Sequence, residues 1–258
     1  MNRLSAPTYD FDSSLKNEAE HAGKTYMLLL SENLTDISHQ KSERKSGTDF
    51  LLQLSHGAVR LENKFERHAS GRVTLELLSV DRPTMAPGWM WSSRAAWLFS
   101  WFIPSAEMVA WPLDELRKVF FANPLRHKAT TAYNQNKKFG GNPYMSWSAL
   151  EDIHWLLPRV PGACHVDLHE ELGSPRERPR MLARWAAFQV SAEGLRAKLR
   201  AGPLQGTPRQ PPSPQEFREM LPRLWALNFR KTEPVHMRSY QELRQHIEAQ
   251  EASALLAA

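Results

Sequence analysis

The sequence predicts an α/β protein, a sheet with helices packed on it, followed by an Arg-rich helical extension. Three observations carry this. Residues 1–157 read in the order helix, three strands, helix, strand, helix, which gives a sheet covered by helices. Residues 158–258 instead hold helical stretches around a proline-rich segment. A 41% apolar content with nine Trp supplies the material of a core.

The first helix is predicted to start at Asp12 or Ser13, either of which can cap free amides. Leu15, Ala19, Ala22 and Tyr26 form its apolar stripe, and Glu18 lies on that same stripe. A carboxylate facing inward costs free energy unless something pairs with it, which singles out Glu18. Residues 31–46 are polar and predict a loop. Strand-like runs at 48–54, 59–66 and 72–80 are joined by short connections at 55–57 and 68–71, the pattern of an antiparallel meander. After a turn-rich stretch at 81–88, residues 92–102 read as an apolar helix and 107–111 as a short strand. Residues 112–121 have the form of a helix, stopped by Asn123-Pro124. Residues 180–201 predict a further helix with Met181, Leu182, Trp185 and Phe188 on one side. Five prolines in 203–214 read as a linker. Ser213 with Glu216 and Ser239 with Glu242 have the spacing of capping boxes. The division is therefore a core over 1–157 and a helical extension over 158–258.

Composition excludes several classes. No apolar run approaches the roughly 18 residues of a membrane span, and the longest, 97–103 (WLFSWFI), reads as a buried helix end. The first residues, MNRLSAPTYD, carry no apolar signal core, so export is not expected. A single cysteine, Cys164, excludes an internal disulfide framework and a multi-cysteine zinc site, and suits a reducing cytoplasm. The net charge of +5 is uneven: residues 158–258 hold 15 Lys and Arg against 11 Asp and Glu, and 13 of those cations are Arg. Arg meets phosphate through a planar fork, so this bias suits nucleic acid; a solvated helical surface gives the same bias.

The chemistry-bearing residues lie in the meander. Asp49 heads its first strand, and Glu62-Asn63-Lys64 sits inside its second. Residues two apart on a strand share a face, so Glu62 and Lys64 point together, and a hairpin brings Asp49 beside them. Adjacent carboxylates repel unless a cation joins them, and hard oxygen ligands suit Mg²⁺ or Mn²⁺. A lysine beside that ion can orient a water for attack on a phosphodiester.

Glu18, Asp49, Glu62 and Lys64, in that order, resemble the pattern of the PD-(D/E)xK restriction-endonuclease-like nucleases: a helix glutamate, then Asp, a hairpin, and (D/E)-x-Lys. The strand at 71–77 ending near Glu76, the Gly88-Trp89 pair and the run from Ser93 to Leu98 look like the compact phage and mobile-element members. The similarity covers about residues 11–150. It implies a mixed sheet with an antiparallel meander flanked by helices. It also implies a metal-dependent deoxyribonuclease from a phage, plasmid or defence context, with Asp49 and Glu62 as metal ligands and Glu18, Asp49, Glu62 and Lys64 as catalytic residues. No proline precedes Asp49, and where the family's site helix often has Lys or Gln this chain has Ser93 and Arg94.

Arg94, Trp89, Lys137 and Lys138 are the candidate contacts to nucleic acid, DNA above all. Trp89 and Trp91 are expected in a loop, whereas Trp97 and Trp101 read as core. His165 and His169, with Asp167, have a zinc-like helical spacing but no third ligand, and a surface pair fits as well. The alternative to an enzyme is a catalytically silent nuclease-like module that binds nucleic acid or a protein partner. A homodimer or a protein partner would use the C-terminal helices.

Overall fold

The computed structural model describes residues 8–10, 33–40, 42, 46–66, 71–81, 84–102, 105–123, 128–135, 144–168, 183–210, 213, 215, 216, 219 and 245. In chain order the strands and helices are β1 (Thr8–Asp10), β2 (Leu34–Asp36), β3 (Phe50–Leu54), β4 (Gly57–Glu66), β5 (Arg72–Asp81), β6 (Thr84–Pro87), α1 (Trp89–Ser92), β7 (Trp97–Phe102) and β8 (Glu107–Pro112). They continue with α2 (Leu113–Phe121), β9 (Lys128–Gln135), β10 (Tyr144–Asp152), α3 (Ile153–Leu156), β11 (Cys164–Asp167), a 3-10 segment (Ala183–Phe188) and α4 (Ala192–Ala201). This is a mixed α/β fold. Its larger sheet has six strands in the order β11-β8-β7-β4-β3-β2, antiparallel except for the parallel pair β4 and β7. A second sheet has the order β1-β9-β10-β5-β6. Among the described residues no helix is long and apolar enough to cross a membrane.

The strands β7 and β8 are buried at every position. Leu98, Phe102, Val109 and Trp111 point into a core shared with Val73, Leu75 and Trp147 of the second sheet and with Leu116 and Phe120 of α2. Trp97, Phe99, Trp101, Met108 and Ala110 point the other way, into a second core closed by Leu195 and Leu199 of α4. Two wet-free faces explain why both strands read as unbroken apolar runs.

The hairpin of β3 and β4 is as expected, with Phe50 opposite Leu61. The strand at 107–112 and the helix at 113–121 also match. Several expectations about elements are corrected. Residues 31–46, expected as a loop, contain β2, and the turn-rich 81–88 contains β6. Residues 92–102 are not a helix: α1 ends at Ser92, and β7 follows. The third strand of the meander does not pair with the second; β5 joins β10 and β6, and β7 lies beside β4 instead. Residues 180–201 are not one helix, since the 3-10 segment and α4 are separated, and Ser191 caps α4 by accepting from Gly194 N. The capping box at Ser213 and Glu216 is formed, with Ser213 N donating to Glu216 Oε2 at 2.8 Å and Glu216 N donating to Ser213 Oγ at 3.3 Å. Beyond residue 157, β11 completes the six-stranded sheet against β8. The predicted helix carrying Glu18, the pair Lys137-Lys138, and the second capping box at Ser239 lie outside the described residues.

Candidate active site

Alternation along β4 sorts its side chains. Val59 and Leu61 enter the second core, so Glu62, Lys64 and Glu66 fall on the opposite face, toward β5 and α1. Asp49 directly precedes Phe50, the first residue of β3, which lies opposite Leu61 of β4. Asp49 N donates to Leu61 O at 2.9 Å, and Asn63 N donates to Asp49 Oδ2 at 2.9 Å, so the aspartate side chain extends the strand ladder. The loop before it is tied down as well. Ser93 Oγ donates to Gly47 O at 2.5 Å, and Arg94 N donates to Ser46 O at 2.8 Å. Gly47 has φ +59° and a Cβ there would meet Ser93, so a glycine is required at that turn.

Lys64 Nζ lies 2.5 Å from Glu62 Oε1, with the glutamate side chain 3% exposed and the lysine 31%. The same ammonium sits 5.8 Å from the centre of the Trp89 ring. Burial pushes the Asp49 carboxyl above its ordinary value, with Lys64 and the Asn63 amide pulling it down and Asp36 pushing it further up. Burial likewise raises Glu76, against the pull of Lys64. Lys64 is thus the cation amid Asp49, Glu62 and Glu76. Glu66, at the end of the strand, is raised by burial and accepts from Thr74 N and Oγ1 at 2.7 and 3.1 Å, which ties β4 to β5 where no ladder does.

Glu76 stands at an irregularity in β5: it lies opposite Ser148, Leu78 lies opposite Trp147, and Leu77 is passed over. Gly88 packs on that bulge, its N–H donating to Leu77 O at 2.8 Å. A Cβ on Gly88 would stand 2.5 Å from Glu76 O, so no side chain fits. The Gly-Trp pair is therefore a close approach of two backbones that delivers Trp89 beneath Lys64. Trp89 and Trp91 are in α1, 8% and 4% exposed, rather than in an open loop. Arg94 is exposed.

Sequence reasoning missed Arg117. It is buried on α2, its Nε donating to Met90 O at 2.9 Å and its Nη2 to Ser93 O at 2.7 Å, so it fills the carbonyl end of α1. Its Nη1 donates to Asp114 Oδ1 at 3.0 Å and to Thr207 O at 2.8 Å. Burial lowers its affinity for the proton; Asp114 and Glu62 support the charge, and Arg209 opposes it. The available signal was a cation among Leu113, Leu116 and Phe120 on the apolar stripe, the same kind of signal that marked Glu18.

His165 is on strand β11, not on an exposed helix, and His169 lies outside the described residues; the His165 Nε2 lies 3.3 Å from Glu107 Oε1, both side chains buried. Burial pushes the Cys164 thiol up to about 11, which leaves it unreactive.

The donor set fits a hard cation. Asp49 and Glu62 both offer carboxylate oxygens beside Lys64, and the raised Asp49 is a carboxylate whose charged form a cation would favour. Among the described residues no three Asp, Glu, His or Cys side chains converge as a ready-made cage. Mg²⁺ bound by one or two carboxylates ordinarily keeps waters and substrate phosphate for its other positions. Compared with known protein families, curated proteins and solved structures, the chain matches none.

Proposed function

We propose that the chain is a metal-dependent nuclease that hydrolyses phosphodiester bonds in DNA, with a restriction-endonuclease-like arrangement over 1–157. The observation that carries this reading is Lys64 held against Glu62 on β4, with Asp49 bonded to the same strand through Leu61 O and Asn63 N. Asp49 and Glu62 would hold Mg²⁺ or Mn²⁺, which when bound supplies charge neutralisation at the phosphate and a more acidic water. Lys64 keeps its ammonium 5.8 Å from the Trp89 ring centre, where it orients the attacking water and opposes charge growing on the phosphate. Glu62 sets the position of that ammonium. Trp89 limits water from below. Arg94, exposed at the loop that positions Asp49, is the described cation for the phosphate backbone. Glu18, Lys137 and Lys138 remain part of the proposal.

Lys64→Ala should lower single-turnover cleavage with Mn²⁺ by roughly two orders of magnitude or more while DNA affinity changes little, because the ammonium acts mainly in the transition state. A wild type that binds DNA and cuts no single-stranded, duplex or branched substrate would refute the enzyme and leave a silent binding module.

A further inference from the structure

Beyond α4 the chain turns back over the core. Arg60 N donates to Leu204 O at 3.0 Å, Gly206 N donates to Arg94 O at 3.1 Å, and Thr207 N donates to Asp114 Oδ2 at 3.2 Å. Arg117 Nη1 holds Thr207 O. Within 203–209 only Gly206 is buried, and a Cβ there would run into the Ala95 carbonyl. The segment ends in Arg209, whose guanidinium carbon lies 4.0 Å from the Phe121 ring centre and 5.3 Å from that of Trp91. Those two rings are 4.2 Å apart. The site chemistry above uses neither ring.

A flat guanidinium over an aromatic face occupies the place that a nucleobase takes when it stacks. The docked state also carries costs. The indole N–H of Trp91 is buried with no hydrogen-bond partner among the described residues. Arg209 repels the buried Arg117. Half-buried Leu204, packed against the second core, and buried Gly206 anchor the segment, whereas Thr207 and Arg209 are exposed, so their contacts can be exchanged for water. Trp91 lies two residues from Trp89 in α1, on a different side of that helix, so a base on Trp91 would stack apart from the Lys64 ammonium.

We propose that residues 203–209 are a releasable strap, and that Trp91 and Phe121, once uncovered, stack an unpaired base of single-stranded nucleic acid. This rests on the nucleic-acid reading of the same site. Arg209 and the base compete for one surface, so the closed strap lowers apparent affinity by the fraction of molecules that are open.

Gly206→Ala lifts the strap without touching Asp49, Glu62 or Lys64, and Arg209→Ala uncovers the rings without a backbone clash. Binding of a fluorescein-labelled single-stranded oligodeoxynucleotide is measured in EDTA, with hydrogen exchange of 203–209 followed in parallel. Each variant should bind about tenfold tighter, Arg209→Ala despite its lost cation, and adding Trp91→Leu should abolish the gain. Oligonucleotide should also speed exchange at 203–209 in the wild type. Weaker binding by Arg209→Ala, or unchanged binding by a folded Gly206→Ala whose strap exchanges freely, would overturn the proposal. Because EDTA removes cleavage, a gated but non-cutting protein refutes the enzyme alone, and a cutting protein with ungated binding refutes the strap alone.

Discussion

At Asp49 the free energies of the fold and of the proposed function point in opposite directions. Its carboxylate is placed by the ladder bond from Asn63, yet burial raises its pKa, so the apo fold disfavours the charged form. For an acid raised on folding, the folded state binds the proton more tightly than the unfolded one. Stability contributed by this group is then highest at low pH and falls as pH rises from the ordinary value of 3.8 through the raised folded value. Asp49→Asn keeps an acceptor for the Asn63 amide and removes the charge. In EDTA at neutral pH the variant should melt higher than the wild type, and the difference should vanish below the ordinary carboxylate value. Mn²⁺ should raise the wild-type melting temperature and leave the variant's unchanged. A variant that melts lower at neutral pH in EDTA would show that Asp49 is stabilised as an anion by the chain itself. The order Asp49, Glu62, Lys64 was legible because a strand's two-residue period is strictly local. Arg117 was not, because its partners are carbonyls of α1 and Thr207, far along the chain.

The helix with one wet face was read correctly, and β7, dry on both faces, was misread. α2 announces itself through an apolar stripe with Asp114 and Glu115 in its first turn. In β7 every residue is buried, and a six-residue apolar run carries no period that tells strand from helix. The partner of β5 was also hidden, since alternation says which face is apolar and nothing about which strand lies alongside. Here Gly88 supplies local evidence. With the Glu76 carbonyl 2.5 Å from any added Cβ, α1 cannot stay on the β5 bulge if position 88 bears a side chain. Gly88→Ala should therefore cost about 1–3 kcal/mol, the scale of overpacking, and lower the melting temperature by several degrees. Moving Trp89 should also loosen Lys64, so cleavage should fall more than stability explains. An alanine variant that melts and cuts like the wild type would show that the bulge relaxes freely.

For the molecule as a whole, the chain after Ala201 affects both stability and binding, and salt separates the two effects. Ending the chain there frees Arg60 N, Arg94 O and one donor of Arg117, all of which water can reach once the strap has gone. The loss should be about 1–2 kcal/mol, a small net value for exchanged hydrogen bonds, or roughly 2–8 °C in melting temperature. A folded, soluble truncation is the expected outcome, and wholesale aggregation would show that the segment is part of the core. Residues 202–258 hold seven Lys and Arg against six Glu, so their removal changes net charge by a single unit. Long-range attraction to DNA should hardly change. Phosphate contacts from the six Lys and Arg that follow Arg209 are lost, which flattens the dependence of log affinity on log salt. Uncovering Trp91 and Phe121 adds stacking, a term that salt screens little. The truncated and full-length chains should therefore give crossing lines for single-stranded DNA: weaker binding by the truncation at low salt, tighter binding at high salt. Parallel lines would mean that the segment makes no phosphate contact, and a truncation weaker at every salt concentration would mean that no stacking surface lies beneath the strap.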